Sequence, residues 1–320
     1  MINGMASLGT DIGGQSILSA IIEDGRIIAS ERRPTGDDMD ALMDSICQAV
    51  EATIAAAGMD KDAIEGAGMG VPAFRDRASG RYRFPNIRGG NDVDIGAMAA
   101  ERLGFDIIIG NDADFTALGM MGRTASFEVL KQGGGSDALT KLVVITIGTG
   151  IGGGAVIRAA GKDLMLSGKD GLTEIGHMKI IEDGGRVCGC GKRGCVEAYA
   201  STSSISAIYE EGSGMAKSAE EIDRLAFDGD PHARSVMADA GAALGICLAN
   251  VLNMLNPEYI VFTGGGANSP ADGAFFASCL DAIEDRSLPE AYDAASLLIL
   301  PDAKEHGVLG AARAGMGEGF

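Results

Sequence analysis

Residues 141–158 read KLVVITIGTGIGGGAVIR. An apolar, strand-like run enters a stretch with five glycines in seven residues, 148–154, and leaves it as AVIR. A dinucleotide-binding fingerprint would open a helix after its glycines, because the helix N-terminus carries the pyrophosphate. AVIR is β-branched and apolar and continues as a strand. The stretch therefore reads as a hairpin with a glycine-rich tip, and the oxidoreductase reading is set aside. Backbone N–H groups that no side chain shields suit a phosphate. Gly148, Thr149, Gly150 and Gly152 are accordingly candidate phosphate contacts, although a plain tight turn would use the same glycines.

Working outward, the pattern is strands alternating with helices. Residues 6–33 read as three strands, with Asp24-Gly25 as the hairpin turn between the second and third. Met39, Leu42, Met43, Ile46, Val50 and Ile54 recur at helical spacing, which predicts a helix over 37–57. A strand over 64–71 stops at Pro72. A helix (94–104), a buried strand (105–110) and a second helix from Asn111 follow. Residues 131–141 read as a polar surface loop. Residues 232–255 form a long apolar helix with Val236, Leu244, Cys247, Leu248, Val251, Leu252 and Leu255 inward. A strand runs into the glycines of 258–266, and a last strand (296–301) precedes a last helix (307–315). Both halves open with strands and a glycine turn. The expectation is an α/β protein of two lobes with an interdomain cleft. The N-terminal lobe is 1–120, joined by the last helix at about 305–320, and the C-terminal lobe is 121–304. The boundary falls near 118–122.

The bulk properties narrow the class. Hydrophobic residues make up 46% of the 320, enough for a sizeable core. No unbroken apolar run approaches the roughly 18 residues that span a bilayer. Residues 1–14 lack a basic segment followed by an apolar one, so a cytoplasmic protein is expected. The net charge of -19 disfavours nucleic acid and anionic membranes as partners while allowing a locally positive pocket. The 49 glycines are about twice ordinary usage and gather in short clusters, not in a low-complexity tract. Two more clusters follow strands: GTDIGGQ at 9–15 and FTGGG at 262–266. They nominate Gly13, Gly14, Gln15, Gly264, Gly265 and Gly266 for phosphate. Asp11, at a strand end, could hold a hydrated Mg²⁺.

Two further constellations carry chemistry. At 107–119, IIIGNDADFTALG sets Asn111-Asp112 where a strand meets a helix. Either residue would cap that helix. Alternatively Asp112 takes a proton from a hydroxyl as general base while Asn111 binds another hydroxyl. Asp114 is the competing candidate for the base, but inside the helix it reads as solvated. At 187–199, VCGCGKRGCVEAY brings Cys188, Cys190 and Cys195 within eight residues, and His177 lies just upstream. One imidazole and three thiolates make a closed tetrahedral zinc set, structural in role. Cys47, Cys247 and Cys279 sit in apolar helical patterns and act as small core residues. A metal that pins this loop also fixes Glu174, Glu197 and the outer nitrogen of His177, an array suited to sugar hydroxyls.

The combination of EIGHM, CGCGKRGCVEAYAS and GTGIGGG resembles the ROK family (repressors, open reading frames and sugar kinases), and the likeness covers nearly the whole chain. DIGG resembles the family's first phosphate loop, GVPAF with PNI its sugar-side loops, GNDADFTALG its catalytic segment and FTGGG its nucleotide-side loop. The resemblance implies an actin-like ATPase (ribonuclease H-like) fold, phosphoryl transfer from ATP with Mg²⁺ to a hexose or N-acylhexosamine, a structural zinc and a homodimer. It implies Asp112 as base, with Asn111, Glu174, His177 and Glu197 on the sugar. Three departures bear on activity. Gln15 stands where the family usually has threonine, Ala73 stands where it has glycine, and the chain has no tryptophan. A sugar-binding regulator or a degenerate kinase is the alternative. The regulator would need a DNA-binding segment that the sequence does not display.

Overall fold

The structure, a computed structural model, describes residues 5–85, 87–121, 128–134, 139–168 and 173–320. Asn86 of the PNI loop, the middle of the expected 131–141 loop and Gly122 at the expected boundary lie outside them. The elements in chain order are β1 (Ala6–Ile12), β2 (Ser16–Glu23), β3 (Arg26–Pro34), α1 (Met39–Ala57), β4 (Ile64–Val71), β5 (Phe74–Arg75), β6 (Tyr82–Arg83), α2 (Ile95–Leu103), β7 (Ile108–Asn111), α3 (Asp112–Met120), β8 (Glu128–Lys131), β9 (Lys141–Ile147), β10 (Ile151–Ala159) and β11 (Lys162–Met165). Then come α4 (Glu197–Ala200), α5 (Thr202–Ser213), α6 (Ala219–Phe227), α7 (Pro231–Leu255), β12 (Tyr259–Thr263), α8 (Ala274–Arg286), α9 (Pro289–Ala294), β13 (Ser296–Ile299) and α10 (Lys304–Gly315).

These elements form two compact units. One comprises Met1–Thr124, Gly154–Thr173 and Ala303–Phe320; the other comprises Ala125–Gly153 and Glu174–Asp302. The division differs from the sequence expectation, which left 154–173 in the second lobe. The local cause is visible at Gly154. A Cβ there would stand 2.1 Å from the Ala113 carbonyl oxygen, so only glycine lets β10 lie against the first turn of α3. The glycine-rich tip is also shorter than expected. Gly152, Gly153 and Gly154 are inside β10, and only 148–150 turn.

In the first unit the sheet order is β3-β2-β1-β4-β7. β2 joins β3 through Asp24 and Gly25, both with positive φ (50° and 72°), the geometry of a two-residue hairpin. β1, β4 and β7 are mutually parallel. Their carboxyl ends therefore coincide, the usual ligand edge of an open α/β sheet. α1 is capped by Asp38, which accepts from the Ala41 N–H, and ends at left-handed Gly58. Its inward side, Leu42, Met43, Ile46 and Val50, joins Leu8, Ile17, Ile21 and Met69 in one buried core.

α10 packs on β1, β4 and α3 at backbone distance. A Cβ on Gly9 would lie 1.8 Å from the Val308 carbonyl oxygen, one on Gly68 1.9 Å from that of Ala311, and one on Gly310 1.7 Å from that of Phe115. Much of the chain's glycine content thus serves helix-to-strand and helix-to-helix contact.

In the second unit β9, β12 and β13 are parallel and β8 closes one edge antiparallel to β13. α7 starts with an Asp230 cap and Pro231 in its first turn and ends at Asn256 with φ 44°. Val236, Leu244, Cys247, Leu248, Val251 and Leu252 are buried as expected, whereas Leu255 is half-buried. By length and composition α7 is apolar enough to cross a membrane, which counting unbroken apolar runs did not anticipate. Most of its apolar window, 67%, is covered by the protein itself.

Candidate active site

In the first unit the carboxyl ends of β1, β4 and β7 bring two predicted residues together. Asp11 is the partner of Gly70, and Val71 is the partner of Asn111. A Cβ on Gly70 would meet Asp112 Cα at 3.2 Å and Asp11 Oδ1 at 3.6 Å, so Asp11 and Asp112 flank one glycine. The turn after β1 is closed by Gly13 N–H to the Ser16 carbonyl (3.0 Å) and by the Thr35 hydroxyl to the Gly13 carbonyl (2.7 Å). Gly14 and Gln15 are exposed, and a Cβ on Gly14 would meet nothing. Lys304, at the start of α10, donates to Ser16 Oγ at 2.6 Å. Sequence reading missed this lysine, because nothing local ties residue 304 to the first turn.

At α3 the cap is Asn111. Its Oδ1 accepts from the N–H groups of Ala113 (2.9 Å) and Asp114 (3.1 Å). That bonding uses the Asn111 oxygen and not its amide nitrogen, and it makes Asn111 rather than Asp112 the cap. Asp112 is half-buried. Burial pushes its carboxyl up to about 6, against the pull of the Ala113 N–H and its own. Asp114 is not solvated as expected. It is 2% exposed, and its Oδ1 has no hydrogen-bond partner. Burial raises it to about 6 as well, opposed by the Ser167 and Thr173 hydroxyls and the Ala155 main chain.

In the second unit the parallel pairing of β9 with β12 sets Thr146 beside Thr263. The turns that follow, 148–150 and 264–266, therefore leave the same end of the sheet. The α5 N-terminus holds the first turn. Thr202 gives its N–H (2.9 Å) and hydroxyl (2.8 Å) to the Gly148 carbonyl, and Ser203 Oγ reaches the Thr149 carbonyl at 2.5 Å. In the second turn Gly264 has φ 89°, and Gly265 opens a 3-10 turn with no neighbour at its Cβ position. Gly266 differs: a Cβ there would lie 2.3 Å from Ile147 Cγ2, so packing alone requires that glycine. Gly152, likewise proposed for phosphate, is a strand residue.

His177, Cys188, Cys190 and Cys195 gather with all ligand atoms within 4.8 Å of one another. Cys188 Sγ is 3.5 Å from His177 Nδ1, and Cys190 Sγ is 3.8 Å from Cys195 Sγ. Two sulfurs each about 2.3 Å from a tetrahedral zinc would stand roughly 3.8 Å apart. The donor set and its spacing fit that ion. All six cysteines are free thiols. Burial pushes the Cys188 and Cys195 thiols above their ordinary value, which a metal would reverse. Around the cluster, Glu174 Oε2 is 3.7 Å from His177 Nε2. Glu197 Oε1 is 3.4 Å from Cys188 Sγ, and Glu197 Oε2 accepts the Ile151 N–H at 3.1 Å. Glu197 thus ties the cysteine loop to the end of the glycine turn, a bond sequence reading did not foresee.

With the geometry in place, comparison with known proteins is direct. The ROK family model matches residues 7–313. A glucokinase of Halalkalibacterium halodurans is 32% identical over 95% of this chain and 92% of its own. An N-acetyl-D-glucosamine kinase of Escherichia coli is 30% identical over 82% of this chain and 85% of its own. A crystal structure of a ROK hexokinase from Thermus thermophilus superposes with a TM-score of 0.79 at 29% identity, covering 98% of both chains. The chain belongs to the ROK family and has its two-lobed actin-like ATPase fold.

Proposed function

We propose that Asp112 is the general base of this chain's reaction, the ATP-dependent phosphorylation of a hydroxyl on a hexose or N-acylhexosamine. That the chain is an ATP-dependent sugar kinase follows from its family and from relatives that are a glucokinase and an N-acetylglucosamine kinase. The observation that carries the Asp112 role is the cap. Asn111 is the helix cap, so Asp112 is not needed as one, and burial raises its proton affinity towards that of a working base against the opposing pull of the Ala113 N–H and its own.

In this reading Asp112 accepts the proton of the attacking hydroxyl, and the Asn111 amide nitrogen donates to a neighbouring one. Glu174 and the outer nitrogen of His177 orient further sugar hydroxyls. Glu197 belongs with them on the sugar, held by the Ile151 N–H at Oε2 and by Cys188 Sγ at Oε1. The amides of Gly14, Thr149, Gly150 and Gly265 line the phosphates, whereas those of Gly13, Gly148 and Gly264 are given to the Ser16, Gly150 and Pro301 carbonyls and shape the turns. Mg²⁺ accompanies the ATP and shares the charge of the moving phosphoryl group; Asp11 is the carboxylate that would hold it. Zinc held by His177, Cys188, Cys190 and Cys195 has four protein ligands, so its part is to fix the loop and not to enter the reaction. A cytoplasmic location and self-association as a homodimer belong to the same reading.

The test is Asp112→Asn. It should retain zinc content and sugar binding and lose at least about a thousandfold in turnover, read by ADP release over a panel of hexoses and N-acylhexosamines. A near-parental rate would remove Asp112 from the role.

A further inference from the structure

The segment 75–83, RDRASGRYR, concentrates four arginines against one aspartate in a chain of net charge -19. It forms the hairpin of β5 and β6, in which Phe74 faces Arg83 and Arg75 faces Tyr82. Beside the hairpin is an open cavity of about 500 Å³, with Arg75, Arg81 and Arg83 in its wall together with Phe74, Asp76 and Asp92. That volume accommodates a phosphorylated monosaccharide.

The acids do not neutralise the arginines evenly. Asp76 Oδ1 is occupied within its own turn, accepting from the Ser79 N–H (2.8 Å), the Ser79 hydroxyl (2.9 Å) and the Ala78 N–H (3.0 Å). Asp92 is taken by Arg81, whose Nε lies 2.9 Å from its Oδ1. Arg83 is exposed, and among the described residues no carboxylate pairs with it. Its guanidinium lies over the Phe74 ring, 4.6 Å from the centroid. A guanidinium held against a ring face keeps its N–H groups as donors, and arginine uses such groups to bind phosphate. Arg75 and Tyr82 also line a second, small cavity of about 20 Å³ that reaches Asn111. Arg75 and Tyr82 are thus common to the two cavities.

We propose that the β5–β6 hairpin is an anion site that takes the phosphate group of a phosphorylated sugar, with Arg83 as its principal contact. The chemical class is that of the kinase's own product, so the inference rests on the kinase reading for its biological sense. It does not rest on it for binding.

Calorimetry without ATP, at constant ionic strength, would use glucose 6-phosphate and inorganic phosphate as probes. The parent should bind glucose 6-phosphate, and Arg83→Gln and Arg83→Glu should weaken it at least tenfold while thermal stability stays within a degree or two. Absence of binding, or binding unaltered in both variants, would overturn the proposal. Competition by glucose against the sugar phosphate would join the site to the acceptor pocket. Simultaneous binding would make it a separate effector site, and both results presuppose the anion site. A protein without kinase turnover that still binds the probe through Arg83 would retract the kinase reading and leave this one standing.

Discussion

Asp112 and Asp114 share the first turn of α3 and the same raised proton affinity, but their surroundings differ. Asp112 is half-buried at the carboxyl edge of the parallel strands beside Asp11. Asp114 is sealed against Ala155, Ser167 and Thr173. The rate should therefore fall on the acid side with a midpoint near pH 6, as Asp112 takes up its proton. Asp114→Asn should leave that limb in place, and a lost or displaced limb would assign it to Asp114. The raised affinity has a signature in stability as well, and for Asp114 it is free of any part in turnover. A carboxyl raised from 3.8 to about 6 favours the fold fully below pH 4, and that contribution is lost as pH rises through 6. Asp114→Asn should therefore be more stable than the parent at pH 8, by up to about 3 kcal/mol, with the difference vanishing towards pH 4 in urea melts. The Asn-Asp pair was legible in sequence as a cap or a base. What it could not show was which of the two caps, or that Asp114 meets a segment 40 residues away, because both depend on packing.

At the scale of elements, glycine marks both ligand turns and close packing, and the sequence clusters do not separate the two. Most strands, α1 and α7 were legible because their periodicity is local, whereas the short β5, β6, β8 and β11 were not read. The 148–154 run was not read correctly beyond Gly150, since its last glycines answer to Ala113 and Ile175, remote in sequence. The distinction can be measured. Gly310→Ala must push a methyl into the Phe115 carbonyl, 1.7 Å away, at the contact of α10 with α3. It should destabilise the fold by about 3 kcal/mol or more, seen as an earlier denaturant midpoint. Gly14→Ala meets no atom and should change stability by less than about 0.5 kcal/mol. Its effect should appear in a raised KM for ATP. An unchanged KM would take Gly14 out of the phosphate turn.

For the molecule as a whole, the histidine-cysteine cluster is the feature the sequence showed most fully, because three of its four ligands fall within eight residues. The sequence could not show what the cluster is connected to. Glu197 links it by Ile151 N–H to the end of the glycine turn, and α5, which follows directly, holds the same turn through Thr202 and Ser203. Glu174 approaches the cluster at His177 Nε2. The cluster therefore joins Glu174 and the 148–150 turn within the second unit, and a zinc held there would brace both. Cys190→Ser should lower zinc stoichiometry, and with it both affinities: the sugar Kd and the KM for ATP should each rise several-fold, with the sugar affected more. Had Glu197 no bracing part, only the sugar term would move. Intact binding of both ligands by a zinc-free protein would show that packing of the loop, and not the metal, sets these side chains.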